Sequence, residues 1–180
     1  MGFWNTRGLR GSTLEELINL TNDAYKNKGL AIVQKIPTSI TPVSIDKERG
    51  LIDKAYFEKK STVDYIGVVQ GIPICFDAKE TTRESLPLQN IHEHQLEFME
   101  QFQKHKGISF LIIYFQKYQE HYFYPFEELR VCWENSKNGG RKSIPYKSFD
   151  KKYLVTSSNG FFIHYLIPLN KYLVRLKSQE

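Results

Sequence analysis

Two acidic residues near the middle of the chain have the type and spacing to hold a metal ion between them. Asp64 and Asp77 stand on either side of Gln70-Gly71. A two-residue connection that ends in glycine is typical of a tight hairpin turn, because glycine readily takes the positive φ that such turns need. If Val69 pairs with Ile72 across this turn, the register predicts that Asp64 lies directly opposite Asp77.

Opposed carboxylates of this kind point to a metal-dependent reaction. Like charges directly opposite each other destabilise a sheet, so a fold that keeps them usually gains something from them. A divalent cation between Asp64 and Asp77 is the simplest candidate, and Mg²⁺ suits a site with few carboxylates and several waters. Side chains alternate along a strand, so Lys79 shares a face with Asp77. There it would position the attacking water or offset the charge that develops during phosphodiester cleavage.

The alternative interpretation of these acids is ordinary surface charge on an exposed sheet face. The neighbouring residues Ile74, Cys75 and Phe76 argue against it, because an acid within a buried strand needs a partner. An acid followed on the next strand by acid-x-Lys is nevertheless a short and common pattern. By itself it does not establish a nuclease.

Three further polar residues are candidates for supporting roles. Glu15 follows Ser12 at the spacing of a helical capping box, so it is either the partner of that cap or a further acid of the metal shell. Glu80 would point to the opposite face if the strand persists beyond Lys79, so a metal role requires the strand to end there. Gln95, on the next predicted helix, is a candidate for orienting water or phosphate.

Size and composition indicate a globular chain with an excess of positive charge. The 180 residues are 41% hydrophobic and 14% aromatic, which suits one domain with a sizeable core. A formal charge of +5 and a pI near 9.1 favour a polyanionic partner, although many basic proteins bind nothing anionic. The two cysteines, Cys75 and Cys132, have neither zinc-site spacing nor the number for a disulfide framework, which fits a reducing compartment.

Neither a signal peptide nor a membrane span is recognisable in the sequence. Met1–Asn5 is not a charged start that leads into an apolar run. The longest apolar run, Ile108–Phe115, is too short to cross a bilayer. We therefore expect a soluble, cytoplasmic protein that does not associate with membranes.

The order of predicted elements is that of an α/β protein. Periodicity and end signals predict helices at 12–29, 91–104 and 126–133. Strands are predicted at 30–33, in both arms of the acidic hairpin, at 108–115 and at 122–124. This order predicts a mixed central β-sheet flanked by helices.

Basic residues lie in two places that would suit a DNA partner. Lys54 lies in a long excursion at about 38–60, beside Tyr56-Phe57, whose rings would stack on a base or wedge between base pairs. Arg141 and Lys142 follow two glycines that let backbone N–H groups approach a phosphate. Both features also have an ordinary explanation, since basic runs are usually solvated surface and aromatic residues can simply dock an excursion onto a domain.

Short motifs along nearly the whole chain resemble the RecU-type Holliday junction resolvases of low-GC Gram-positive bacteria. The motifs that carry the resemblance are Arg7-Gly8, Thr13-Leu14-Glu15, Ile18-Asn19, Thr21-Asn22, Lys54-Ala55-Tyr56-Phe57, Thr62-Val63-Asp64, Asp77-Ala78-Lys79-Glu80-Thr81, His92-Glu93-His94-Gln95 and Asn138-Gly139-Gly140-Arg141-Lys142-Ser143-Ile144. They occur in order, and the resemblance is weakest after Tyr146. Their combination is far more specific than any one of them.

The resemblance implies a restriction-endonuclease-like core in a single nuclease domain at 1–180, with a projecting stalk inserted at about 38–60. Asp64, Asp77 and Lys79 match the family's catalytic triplet, although relatives often carry Glu at the position of Asp77. Glu15 resembles the acid of the family's first helix. The family acts as a homodimer that cuts two opposed strands of a four-way junction with Mg²⁺ or Mn²⁺, and its stalk meets the junction centre.

We therefore predict a Mg²⁺-dependent, structure-selective endodeoxyribonuclease that resolves Holliday junctions by paired strand cleavage in homologous recombination and DNA repair. Asp64 and Asp77 would hold the metal, and Lys79 would stabilise the transition state. Glu15 would support the metal shell, with Glu80 and Gln95 as auxiliary candidates. The predicted DNA contacts are Arg7, Lys54, Phe57, Arg141 and Lys142. A homodimer is expected because symmetric cleavage of two strands needs two sites related by a two-fold axis.

Two other functions are compatible with parts of the sequence. The same nuclease core could cut duplex DNA in restriction or repair, or the chain could be a DNA-binding module without catalysis. The module would bind DNA in a salt-sensitive way and never cut it. The opposed acids count against it, because they repel the phosphates that such a module binds. Association with a strand-exchange recombinase, a branch-migration helicase and the bacterial nucleoid is expected from the family resemblance alone.

Overall fold

The computed structural model describes residues 12–38, 40–57 and 62–178, so the predicted DNA contact Arg7 lies outside the described residues. The helices are α1 (Ser12–Asn27), α2 (Glu93–Lys104), α3 (Phe126–Lys137) and α4 (Leu166–Lys177). The strands are β1 (Ile32–Lys35), β2 (Ile40–Asp46), β3 (Leu51–Phe57), β4 (Tyr65–Val69), β5 (Ile72–Thr81), β6 (Ser85–Pro87), β7 (Ile108–Phe115), β8 (Glu120–Pro125), β9 (Ser143–Pro145) and β10 (Leu154–Val155). Short 3-10 turns lie at Leu88–Asn90, Tyr146–Ser148 and Lys151–Tyr153. Among these residues no helix combines the length and the apolar character needed to cross a bilayer.

A six-stranded mixed sheet forms the centre of the fold, in the order β1-β4-β5-β7-β8-β10. Strands β5 and β7 are parallel, and the other neighbouring pairs in this sheet are antiparallel. The chain runs through α2 between β5 and β7, as a parallel pair requires a crossover connection. Helices α1 and α4 pack on one face of the sheet and α2 and α3 on the other. The predicted mixed sheet flanked by helices is confirmed.

Strand β5 contributes alternately to the two cores. Ile74 and Phe76 are buried on the side of α1 and α4. Cys75 is buried on the side of α2, with its Sγ 3.3 Å from Ser109 Oγ. Asp77 continues the Cys75 side of the strand and is as fully buried as its apolar neighbours. The alternation predicted from the sequence is confirmed, and it places a carboxylate in the interior of the α2 side.

The hairpin that carries the two acids forms in the predicted register. Its two turn residues have φ of +47° and +88°, the successive positive values of a type I′ turn. Val69 pairs with Ile72, and the pairing continues without a bulge to the first residue of β4. Asp64 and Asp77 directly follow the last of these pairs, Tyr65 with Phe76, on the side away from the turn. A turn signal and strand alternation were therefore sufficient to bring these two residues together.

Helix α1 ends at the glycine where the sequence predicts a stop. Gly29 has φ +66°, its N–H donates to the Lys26 carbonyl at 3.0 Å, and the Leu30 N–H donates to the Tyr25 carbonyl at 2.9 Å. These are the two hydrogen bonds of a Schellman motif. Because Leu30 belongs to this helix end, β1 begins at Ile32 rather than at Leu30, where the sequence predicts it.

The excursion forms a two-stranded antiparallel hairpin, β2-β3, here called the stalk hairpin (residues 40–57). Among the described residues it pairs with no strand of the central sheet. From 40 to 56 its side chains are exposed, apart from the half-buried Thr41 and Asp46. With solvent on both faces, no apolar alternation marks the two strands, which explains why the sequence predicts no regular element there.

The last helix, α4, is missing from the sequence prediction. Its Pro168 lies in the first turn, where a missing backbone N–H costs little. Leu169 and Tyr172 are buried against the sheet, so tertiary packing stabilises a segment whose proline argues locally against a helix. Helix α3 likewise continues to Lys137, beyond its predicted end at Trp133.

Candidate active site

The carboxylates of Asp64 and Asp77 are held next to each other by backbone hydrogen bonds. The Asp64 N–H donates to Asp77 Oδ1 at 2.8 Å, and the Ala78 N–H donates to Asp64 Oδ2 at 2.9 Å. The Ile36 N–H donates to the Asp64 carbonyl at 2.8 Å, which ties the start of β4 to the end of β1. The Asp77 carboxylate thus accepts from the backbone of Asp64, and the Asp64 carboxylate accepts from the backbone of the residue after Asp77. The hairpin itself therefore fixes the position of both carboxylates.

The second oxygen of Asp77 has the features of a cation ligand. Asp77 Oδ2 is buried, and no described hydrogen-bond donor is aligned with it. The Lys79 ammonium lies 2.6 Å from this oxygen, and the Lys79 side chain is 15% exposed. The lysine therefore supplies charge to the carboxylate without a well-directed hydrogen bond. This buried oxygen already contacts one positive group, so a metal ion that binds Oδ2 would share or replace the contact with Lys79.

The electrostatics of the site oppose the ionisation of Asp64. Burial, together with the negative charge of Asp77, raises the pKa of Asp64 from 3.8 to about 6. The positive charge of Lys79 and the hydrogen bond from the Ala78 N–H act in the opposite direction but do not cancel this effect. An additional cation near the two acids would stabilise the ionised form of Asp64.

The donor set fits Mg²⁺ better than a softer metal. Among the described residues there is no cluster of three or more His, Cys, Asp or Glu side chains that could hold an ion. Mg²⁺ is commonly bound through only one or two carboxylates, with water and substrate phosphate completing its coordination. Asp64 and Asp77 meet that requirement.

Glu15 lies in the first turn of α1, but its carboxylate is paired with a lysine of β1. Glu15 Oε2 lies 2.8 Å from Lys35 Nζ. Tyr65 connects this turn to the hairpin, since its single O–H can donate either to Asn19 Oδ1 at 3.1 Å or to the Glu15 carbonyl at 3.3 Å. Burial, together with the charges of Glu15 and Asp64, raises the pKa of Tyr65. Glu15 is therefore near the site, and its role as a metal ligand stays a prediction, as does the capping box, because the Ser12 side chain is not described.

Glu80 lies on the face opposite the acid pair, because β5 continues to Thr81 rather than ending at Lys79. A metal role for Glu80 required the strand to end at Lys79, and the strand does not end there. Glu80 Oε1 instead accepts a hydrogen bond from the Leu14 N–H at 3.1 Å, and Oε2 accepts one from Gln116 Nε2 at 2.9 Å. Glu80 thus binds a free N–H at the start of α1, next to Glu15, and anchors that helix to β5.

Replacing Glu80 by alanine is expected to destabilise the protein by about 1 kcal/mol, the usual cost of losing a helix cap. Glu80→Gln should lose less, since its amide oxygen still accepts from the Leu14 N–H. Chemical denaturation of both variants measures the difference. Equal stability of Glu80→Ala and the unmodified protein would show that this hydrogen bond does not hold α1 in place.

Gln95 is buried at the start of α2, with 6% of its surface exposed. Its Oε1 accepts a hydrogen bond from the His92 N–H at 3.1 Å, so one end of the side chain is used to begin the helix. Helix α2 packs on the same face of the sheet as Asp77. Gln95 is thus on the correct side of the sheet for an auxiliary role, and that role stays a prediction.

The predicted DNA contacts are distributed over separate surfaces. Lys54 is exposed on the stalk hairpin, and Phe57 ends β3 with a side chain that is not described. Arg141 and Lys142 are exposed in the loop between α3 and β9, and Arg141 Nε donates to Ser143 Oγ at 3.2 Å. None of these positions contradicts a contact with DNA.

Sequence reasoning missed a polar cleft that opens where β5 ends. Its lining residues are Glu80, Thr81, Thr82, Arg83, Pro87, Gln89, Asn90 and Gln116. They come from the end of β5, from the segment around β6 and from the turn after β7. No single motif marks such a cleft, because only the folded sheet brings these segments together.

Comparison with known proteins identifies the family. Residues 9–171 match the model of the family RecU, described as Recombination protein U. This chain belongs to the RecU family. A Holliday junction resolvase RecU from Geobacillus sp. (strain WCH70) is 43% identical over 148 residues, covering 80% of this chain and 74% of that protein. The RecU resolvase of Oenococcus oeni is 40% identical over 174 residues, covering 94% of this chain and 85% of that protein.

A third RecU relative has a higher identity over a shorter stretch. The Holliday junction resolvase RecU of Levilactobacillus brevis is 46% identical over 143 residues, covering 77% of this chain and 71% of that protein. Among solved structures, a Holliday junction resolvase from Archaeoglobus fulgidus covers 61% of this chain and 77% of its own, with 8% identity and a TM-score of 0.38. A likeness that weak bears on neither fold nor function, whereas the RecU relatives match most of the chain.

Proposed function

We propose that this chain is a Holliday junction resolvase, an endonuclease that cuts four-way DNA in homologous recombination and repair. The observation that carries the proposal is the pairing of Asp64 with Asp77, beside Lys79, on one hairpin of a chain that belongs to the RecU family. The RecU relatives are named for this activity. Two adjacent carboxylates and a lysine are residue types that metal-dependent phosphodiester cleavage uses, which supports the proposal.

Asp64 and Asp77 would hold Mg²⁺, with Mn²⁺ as a substitute of similar ligand preference. When bound, the cation would supply Lewis-acid polarisation of the scissile phosphate. The backbone hydrogen bonds from Asp64 and Ala78 fix both carboxylates before the substrate arrives, so little reorganisation is needed during the reaction. Burial of Asp77 keeps its charge in surroundings of low polarity, where its attraction for a cation is strong.

Lys79 would act on the phosphate rather than on the metal. Its ammonium lies within the site and its side chain is still partly exposed, so it can meet a DNA strand entering from solvent. In the transition state it would stabilise the negative charge that develops on the phosphoryl oxygens. Its positive charge also favours the ionised form of Asp64, which a cation ligand requires.

Junction selectivity would arise from elements outside the acid pair. The stalk hairpin, with Lys54 and Phe57, would meet the junction centre, while Arg7, Arg141 and Lys142 would hold the arms. A homodimer would place two such sites about a two-fold axis, which suits the cutting of two opposed strands. The enzyme would act in the bacterial cytoplasm at the nucleoid, with the recombinase and the branch-migration helicase as candidate partners.

The test is incubation of the purified protein with a labelled four-way junction and a linear duplex of the same sequence, with Mg²⁺ and with EDTA. We expect paired nicks in opposed strands of the junction, little cutting of the duplex, and no cutting in EDTA. Comparable cutting of both DNAs would indicate a general duplex nuclease. Binding without cutting, whichever divalent metal is added, would indicate a DNA-binding module.

Addition of Mg²⁺ should raise the melting temperature more at pH 8 than at pH 5. The pKa of Asp64 in the folded protein, about 6, exceeds its ordinary value of 3.8, so the metal-free protein loses stability as the pH rises through that interval. A cation compensates for this loss only where Asp64 is ionised. At a Mg²⁺ concentration ten times its dissociation constant the gain is about 1.4 kcal/mol, or roughly 3 to 6 °C.

The same melting experiment on Asp64→Asn provides the control. This variant has no carboxylate to ionise at position 64, so its response to Mg²⁺ should be small and nearly independent of pH. An equal shift at the two pH values in the unmodified protein would contradict cation binding at this pair.

A further inference from the structure

The polar cleft at the end of β5 has a volume of about 320 Å³ and begins close to the candidate active site. Thr81, which lines it, is the last residue of β5 and lies two residues beyond Lys79 on the same face of the strand. At about 3.3 Å per residue, the cleft therefore starts about 7 Å from the backbone of Lys79.

Arg83 provides the positive charge of this cleft. It is exposed and forms no ion pair with any carboxylate of the described residues. The two acids nearest to it in sequence have other partners, although one of them, Glu80, lies in the cleft wall with its partner Gln116. Glu84 pairs with Lys117, and Glu80 accepts hydrogen bonds from the start of α1 and from Gln116. The Arg83 guanidinium is therefore available to an anion.

The turn that presents Arg83 is fixed by hydrogen bonds of a single threonine. Thr81 Oγ1 accepts from the Arg83 N–H at 3.1 Å and donates to the Ser85 carbonyl at 3.1 Å. Thr81 is itself 6% exposed, so this linkage is protected from water. A backbone held in place before binding loses less conformational entropy when its side chain contacts a ligand.

The small β6–β9 sheet joins the basic loop to the segment that forms one wall of the cleft. Pro87 of β6, which lines the cleft, pairs with Ser143 of β9. The N–H of Leu88 donates to the Lys142 carbonyl at 3.1 Å, immediately before Gln89 of the cleft wall. The loop that carries Lys142 is thus hydrogen-bonded to the segment that forms one wall of the cleft, although its own residues do not line it.

We propose that this cleft is a subsite for a backbone phosphate of the DNA strand being cut, with Arg83 as its anion-binding group. The proposal rests on the function proposed above. A guanidinium binds a phosphate through two parallel N–H···O bonds, and the side chains of Thr82, Gln89 and Asn90 add neutral donors. Successive phosphates of one strand are about 3.4 Å apart along the duplex axis, so the subsite would meet a phosphate within a few positions of the scissile one.

The test is junction binding by Arg83→Ala in EDTA over a range of salt concentrations, where cleavage does not contribute. We expect affinity to fall about ten-fold and the plot of log affinity against log salt to become shallower by about one unit. Arg83→Lys keeps the charge and should restore the slope. Arg130→Ala is the matched control, because Arg130 is an exposed arginine of α3 whose ion pair with Glu134, at 3.9 Å, lies on the surface.

Equal affinity and slope for Arg83→Ala and Arg130→Ala would overturn the subsite, as would a slope that Arg83→Lys fails to restore. Melting temperatures confirm that each variant is folded. The two proposals can be separated, because binding in EDTA does not depend on catalysis. If the unmodified protein binds the junction but never cuts it, the proposed nuclease activity is refuted. The difference in binding between Arg83→Ala and the unmodified protein would still show whether Arg83 contacts a phosphate.

Discussion

Asp77→Asn is expected to lower the single-turnover rate of junction cleavage by at least about 10³-fold, because a bound metal ion contributes several kcal/mol to such reactions. The amide oxygen can still accept the hydrogen bond that the Asp64 N–H now donates to Asp77 Oδ1. The substitution therefore removes the negative charge and keeps this hairpin hydrogen bond, but the amide nitrogen that replaces Oδ2 also deprives the Lys79 ammonium of its partner. Junction affinity in EDTA should be unchanged or slightly higher, since one charge that repels phosphates is removed.

A carboxylate-to-amide substitution on the surface shows whether the effect of Asp77→Asn comes from the lost charge at the site or only from the change in net charge. Glu100→Gln on α2 is suitable, because the Glu100 side chain is 42% exposed and its ion pair with Lys104 spans 3.7 Å. It should cut junctions at the unmodified rate. Full cleavage by Asp77→Asn, with Mg²⁺ and with a normal melting temperature, would contradict the assignment of Asp77 as a metal ligand.

Lys79→Ala is expected to lower the cleavage rate by about 10²- to 10³-fold, as is typical when one group that stabilises transition-state charge is removed. The rate at saturating DNA should fall more than the affinity for DNA. A second expected result is a shift in the pH profile. The charge of Lys79 lowers the pKa of Asp64, so without it Asp64 ionises at higher pH and the acid limb of the profile moves upward.

The matched control is Lys104→Ala, which removes an exposed lysine from the end of α2. It should change neither the rate nor the pH profile. If Lys79→Ala weakened DNA binding alone, with an unchanged rate at saturation and an unchanged acid limb, Lys79 would be a DNA contact rather than a group that acts on the transition state.

The central part of the site could be predicted because it depends on local rules. A turn that needs two positive φ values, followed by strict alternation along two strands, was enough to place Asp64 beside Asp77 and Lys79 on the same strand face. The termination of α1 at Gly29 follows from an equally local requirement. Neither conclusion depends on where the rest of the chain lies.

Features set by contacts between distant segments could not be predicted in this way. Glu80 is an acid close in sequence to Asp77 and Lys79. Because β5 continues to Thr81, however, its side chain lies on the face of α1, where it accepts a hydrogen bond from the Leu14 N–H. The partner of Glu15 is Lys35, from the strand that follows its helix. The availability of Arg83 depends on which neighbouring carboxylates are already engaged, and a sequence does not contain that information.

The most direct test is a crystal structure of the protein grown with Mn²⁺, in which anomalous scattering locates the ion. We predict one anomalous peak per active site, bound by an oxygen of Asp64 and by Asp77 Oδ2, the buried oxygen that the Lys79 ammonium contacts in the metal-free protein. An ion found only elsewhere, or no ion at concentrations that support junction cleavage, would contradict the account of these two carboxylates as the metal centre.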